Sequence, residues 1–78
     1  MGQVARDRIA LRALGKELVH HRRAAGMTQA ELAKRAGLSI RFISMIETGR
    51  RNVTYLVLRD LARMGLRTPL WRLLRTLR

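Results

Sequence analysis

Apolar residues recur along this chain at helical spacing, and no stretch alternates apolar and polar positions for long enough to form a strand. Ala10, Leu14 and Leu18, with Leu11 beside them, make a stripe that predicts a first helix over 7–24, stopped by Gly26. Thr28 followed three residues later by Glu31 has the form of a capping box, so a second helix is expected over 29–36, ended by Gly37. Ser39 caps a third helix over 40–48 before Gly49, and Thr54 caps a fourth over 55–64, with Gly65 as its stop. Thr68 and Pro69, the single proline, open a fifth helix. Along it Leu70, Leu73, Leu74 and Leu77 fall at i, i+3, i+4 and i+7, with Trp71 beside them. Residues 1–6 precede the first stripe and read as a flexible basic arm. Five short helices with brief connections predict a compact all-α fold, one domain over 1–78.

Length and charge narrow the function. A chain of 78 residues has room for one small core and none for a separate ligand-sensing domain. With no cysteine, disulfides and thiolate metal sites are excluded, which leaves association with a second copy as the expected support for so small a core. No apolar run approaches the ~18 residues of a membrane span, and no secretory leader is evident, so a cytoplasmic protein is expected. Seventeen Lys and Arg against five Asp and Glu leave a net charge of +12. An excess of this size points to nucleic acid or to an anionic membrane surface. All but Lys16 and Lys34 of these cations are arginines, which suit bidentate contact with phosphate and guanine. The excess is uneven: six cations and two acids give +4 over 1–25, three and two give +1 over 26–49, and eight and one give +7 over 50–78.

The nearly neutral middle carries the motif. Two short helices joined by a brief glycine-containing turn form a helix-turn-helix, expected here over 28–48. Ala33 is small where the two helices cross, Gly37 supplies a positive φ, and Leu32, Ala36, Ile43 and Ile46 are placed to bury the shared face. Ile40, Arg41, Ser44 and Met45 then remain on the outward face of the third helix, none of them acidic.

Three runs, Gly26-Met27-Thr28-Gln29-Ala30-Glu31-Leu32-Ala33, Ala36-Gly37-Leu38-Ser39 and Ile43-Ser44-Met45-Ile46-Glu47-Thr48-Gly49, resemble the lambda-repressor-like family, also called the Xre or Cro/CI family. The likeness extends over about 14–66. With Arg51-Asn52-Val53-Thr54 added, it looks most like the restriction-modification controller proteins, and phage repressors and small antitoxins share most of the pattern. The resemblance implies roles by position. Ser39, Ile40, Arg41, Ser44 and Met45 would read bases. Gln29 would grip a phosphate, and Thr48, Arg50, Arg51 and Asn52 would contact the DNA backbone. Arg22 and Glu47 would form an ion pair between the first and third helices. The chain departs from the family pattern at Arg59, which replaces an apolar residue, at Leu56 and Val57, and in a connection at Met64-Gly65-Leu66 that is one residue short.

Neighbouring histidines His20 and His21 point about 100° apart on a helix and do not have metal-pair spacing. Ser39 and Ser44 have no evident base or orienter, so neither catalysis nor a cofactor is expected. The expected function is a sequence-specific, duplex-DNA-binding transcriptional regulator. It would act as a dimeric autoregulator on a pseudo-palindromic operator, with Leu70, Trp71, Leu73, Leu74 and Leu77 at the dimer interface of a helix over 68–78. The alternatives are an antitoxin or other partner-binding protein that also represses its own operon, with a protein partner such as a toxin, and a basic protein that binds RNA or a membrane surface through the arginine-rich last helix.

Overall fold

The first helix carries its pitch further upstream than its apolar stripe requires. A computed structural model describes the backbone of residues 2–74 and the side chains of residues 7–74. In it α1 spans Gly2–Ala24, 23 residues, or about 34 Å at 1.5 Å per residue. Residues 2–6 therefore continue the helix and are not an irregular arm. Nothing in Gln3-Val4-Ala5-Arg6 interrupts helical geometry, since no proline or glycine lies between Gly2 and Gly15.

Helix α2 (Gln29–Ala36) begins at a complete capping box. The Thr28 hydroxyl accepts from the Glu31 N–H at 3.1 Å, and the Glu31 carboxylate accepts from the Thr28 N–H at 3.0 Å. The Thr28 backbone hydrogen bond is the main reason the Glu31 carboxyl sits below the usual carboxylate range. The support the box gives is therefore complete above that range and fades as pH falls through the lowered value. Gly37 closes α2 at φ 69°, a left-handed conformation, and donates back to the carbonyls of Ala33 and Lys34. Helix α3 (Ile40–Glu47) starts one short turn later, and the Ser39 hydroxyl accepts from the Phe42 N–H at 3.0 Å to cap it. Leu32, Ala33, Ala36, Ile43 and Ile46 bury the face that α2 and α3 share.

Helix α1 lies across α3, and the approach is close enough to require glycine. A Cβ at Gly15 would stand 2.5 Å from the Glu47 carbonyl oxygen and 2.6 Å from that of Ile46. Leu14 and Leu18, on either side of this contact, enter the core with Met27.

The fourth helical segment departs from the expected form. Helix α4 covers Tyr55–Asp60, capped by the Thr54 hydroxyl. The chain then widens into a π-helical turn over Leu61–Leu66. Gly65 is not the stop. It lies buried inside the widened turn, and a Cβ there would meet Leu32 Cδ1 at 2.5 Å. The reversal happens at Arg67, which adopts φ 52° while its N–H and that of Thr68 both reach the Ala62 carbonyl. Widening the last turn keeps Leu61, Ala62 and Gly65 all facing the core against α2, which accommodates the short connection.

Helix α5 is described over Leu70–Leu74. Its stripe does not form one exposed surface. Leu73 is 0% exposed, at the centre of the chain's own core. Leu70 and Leu74 pack partly buried against that core. The i, i+3, i+4 pattern thus faces α1 and the π-helical turn, and the expectation that Leu73 meets a second subunit is corrected. Trp71, 60% exposed, remains outside. Leu77 lies outside the described residues.

Two substitutions test these contacts. Alanine is about 1 kcal/mol more favourable than glycine inside a helix, yet Gly15→Ala is expected to lower stability. The added methyl meets backbone carbonyls that cannot rotate away, at a cost typically of about 1–3 kcal/mol. Leu73→Ala is expected to cost about 2–5 kcal/mol, as for a core leucine. Chemical denaturation of each variant checks both, and a wild-type midpoint for either would refute the packing described.

Candidate nucleic-acid interface

A helix-turn-helix can present a surface only if the presenting helix is held rigidly from behind. Here Glu47, the last residue of α3, is the point of attachment. Its carboxylate accepts from Arg22 Nε at 2.6 Å and from Arg22 Nη2 at 3.1 Å, a bidentate ion pair. It also accepts from Gln29 Nε2 at 2.9 Å. Arg22 Nη1 in turn donates to the Met27 carbonyl at 2.9 Å, so the guanidinium also pins the α1–α2 connection. One carboxylate therefore joins α1, α2 and α3. Both charged side chains are largely withdrawn from solvent, which gives the pair more weight than a surface salt bridge.

Gln29 thus has a structural partner that sequence reasoning did not foresee. Its amide is directed into the clamp, and only its remaining hydrogen-bonding capacity is left for a phosphate at the start of α2.

With its back face committed, α3 turns a mixed surface outward. Ser39, Ile40 and Arg41 are exposed, while Ser44 and Met45 are half-buried. Ser39, Arg41 and Met45 line one shallow depression together with Phe42 and Arg51. The Arg51 guanidinium lies over the Phe42 ring, 5.2 Å from its centroid. This stacking pre-orients a loop arginine beside the outward face of α3. Phe42 was not among the expected site residues, and its spacing in α3 gives no sign of a partner nine residues away in a loop.

Three of the remaining candidates have local tasks. The Thr48 hydroxyl donates to the carbonyls of Ser44 and Met45, closing the end of α3. Asn52 Oδ1 accepts from the Val53 N–H and shapes the loop into α4. Arg50 is exposed, and its N–H donates to the Met45 carbonyl. Gly49, at φ 72°, lets the chain turn where the backbone rests against Arg12 of α1. His21 Nε2 lies 3.1 Å from Glu17 within α1. Arg59 is turned to its neighbour Asp60 at 3.2 Å, and Leu56 stays 58% exposed on α4.

With this geometry in place, likeness to known proteins becomes informative. Residues 13–73 match the helix-turn-helix domain family, and the chain belongs to it. The lambda-repressor-like, five-helix architecture follows from that match and from the helix order described above. The restriction-modification controller protein C.AhdI from Aeromonas hydrophila has a similar structure, with a TM-score of 0.78 and 32% identity over 81% of this chain and 94% of that one. An uncharacterized HTH-type transcriptional regulator of Sinorhizobium fredii, y4dJ, is 41% identical over 49 residues, 63% of this chain. The matched stretch spans 64% of that relative's length.

The clamp makes a distinct prediction. Removing one partner of a buried ion pair costs about 3–5 kcal/mol, because the other charge is left uncompensated. Arg22→Ala and Glu47→Ala should each cost that order of stability, and the double variant less than their sum. A double-mutant cycle with no coupling would dissociate the contact from stability.

Proposed function

We propose that this protein is a sequence-specific regulator of transcription that binds duplex DNA through α3. The observation that carries the reading is the outward face of α3: Ser39, Ile40, Arg41, Ser44 and Met45, free of acids, flanked by Arg50 and Arg51, and held from behind by the Arg22–Glu47–Gln29 clamp. A helix so mounted fits the major groove. Arg41, near the start of α3, is suited to fork onto guanine O6 and N7, and Ile40 to touch a thymine methyl. Gln29, Thr48, Arg50, Arg51 and Asn52 border this face and are assigned to backbone contacts. The chain over 1–78 serves as one DNA-binding unit. Membership of the helix-turn-helix family and likeness to a controller protein and to an HTH-type transcriptional regulator support the same assignment.

The regulator acts as a homodimer on a pseudo-palindromic operator near its own gene, each α3 reading one half-site about one DNA turn from the other. Trp71, with Leu56, Tyr55 and Met64, supplies exposed apolar surface that a twofold partner would cover. Leu73 has no part in that contact because it is already buried. Among the described residues no helix is long and apolar enough to cross a membrane.

Footprinting on the DNA upstream of the gene tests the reading. Arg41→Ala is expected to weaken operator binding by about 1–3 kcal/mol and to relax preference at one base pair in each half-site. Binding to scrambled duplex should change little, and an equal loss on both would make Arg41 a phosphate contact. Trp71→Glu should shift sedimentation toward monomer and weaken operator binding while the fold persists. A wild-type protein that is monomeric on and off DNA would remove the dimer. Retention of the product of a neighbouring gene by purified protein, with no operator footprint, would favour the antitoxin reading.

A further inference from the structure

The family match begins at residue 13, yet α1 continues upstream as helix to Gly2. This upstream half bears Arg8 and Arg12, and Lys16 follows at the same four-residue interval. Residues four apart share a helix face. The row Arg8, Arg12, Lys16 forms one wall of an open groove of about 740 Å³. The opposite wall is the end of α3 and the turn after it: Glu47, Thr48, Gly49 and Arg50.

Four exposed cations therefore converge on one cleft, and none of them takes part in an ion pair among the described residues. The single acid in the lining does not offset them. Glu47 already accepts from Arg22 and Gln29 on its inner side, and its side chain is only 4% exposed. Like charges brought together at a surface repel one another unless a counter-charge occupies the space between. The cleft also joins the interface already described, since Thr48 and Arg50 belong to both. A Cβ at Gly49 would stand 2.8 Å from Arg12 Cγ, so the turn after α3 rests directly on the basic row. From Arg8 to Lys16 the row advances about 12 Å. One strand of B-form DNA passes roughly three to four phosphates in that axial distance, at 3.4 Å each.

We propose that Arg8, Arg12 and Lys16, with Arg50, form a phosphate track that carries the backbone of duplex DNA past the end of the base-reading helix. The track lengthens the footprint and adds affinity without sequence information. It rests on the DNA-binding reading above and extends it upstream of the family's matched residues through Arg8 and Arg12.

The test combines Arg8→Gln, Arg12→Gln and Lys16→Gln in the full chain. Affinity is measured between about 50 and 200 mM salt on two duplexes that share one site. One ends at the edge of the site, and the other extends about one turn, roughly 10 base pairs, on each side. Wild type should bind the extended duplex more tightly. The triple variant should lose that advantage, and its log–log salt slope should be shallower by about 2 to 3 per bound protomer, at about 0.9 per phosphate contact. Its preference for the site over scrambled duplex should stay as in wild type. Arg8→Lys with Arg12→Lys, which keeps the charge, should retain both slope and length dependence, which separates electrostatics from any packing role of Arg12 against Gly49. A triple variant with wild-type slope and length dependence would overturn the track while leaving the α3 assignment intact. Tighter capture of wild type by anionic phospholipid vesicles than by duplex DNA at the same salt would also overturn it. Absence of any site-selective binding by wild type would overturn the DNA reading, and the track with it.

Discussion

Three helices of this small fold meet at one carboxylate. Glu47 ends α3, and the two donors of Arg22 and the amide of Gln29 close on it from α1 and α2. An ionised side chain withdrawn from water is tolerable only when its partners replace its hydration. Both oxygens here are occupied, and among the described residues no fully buried polar side-chain atom is left without a partner. The clamp constrains more than its own atoms. It demands that α1 lie close against the end of α3, and that closeness is what forbids a side chain at Gly15. The orientation of the outward face of α3 therefore follows from contacts made on its opposite side.

Division of labour between the two faces of α3 explains the charge distribution. The segment over 26–49 that builds the helix-turn-helix is nearly neutral, its three cations set against two acids. The excess of cations sits before and after it, on α1, on the loop after α3 and beyond. Among the described residues nearly all of them are exposed, where solvent screens their mutual repulsion until a polyanion replaces it.

Much of the fold was legible because the helix-turn-helix is specified locally. Thr28 and Glu31, Gly37, Ser39 and Thr54 each satisfy backbone groups within a few residues of themselves, so their meaning survives removal of everything else. The misreadings share the opposite property. Gly65 looks like a stop, but it is glycine because Leu32, thirty-three positions away, fills the space a methyl would need. Leu73 sits in an amphipathic stripe, and a stripe declares that something will cover it without declaring what. The covering surface proved to be the chain itself. Gln29 and Gly15 likewise acquire their roles from Glu47, through contacts that spacing alone does not reveal. The upstream start of α1 escaped notice because that segment has few apolar positions and so little periodicity to read.

Helix α1 also sets a phase. It is one uninterrupted rod, buried at Leu14, Gly15 and Leu18 and exposed at Arg8 and Arg12. Each residue along such a rod turns about 100° from the last. The azimuth of Arg8 and Arg12 is thereby fixed relative to Gly15, and through Gly15 relative to α3. A single uncharged residue inserted between Arg12 and Leu14 would swing the upstream cations about a quarter-turn around the axis while leaving the net charge and the buried Leu14, Gly15 and Leu18 unchanged. The spacing from Arg8 and Arg12 to Gly15 therefore matters as much as the charges themselves. It is held in register with the recognition surface in the way a thread is held by its screw.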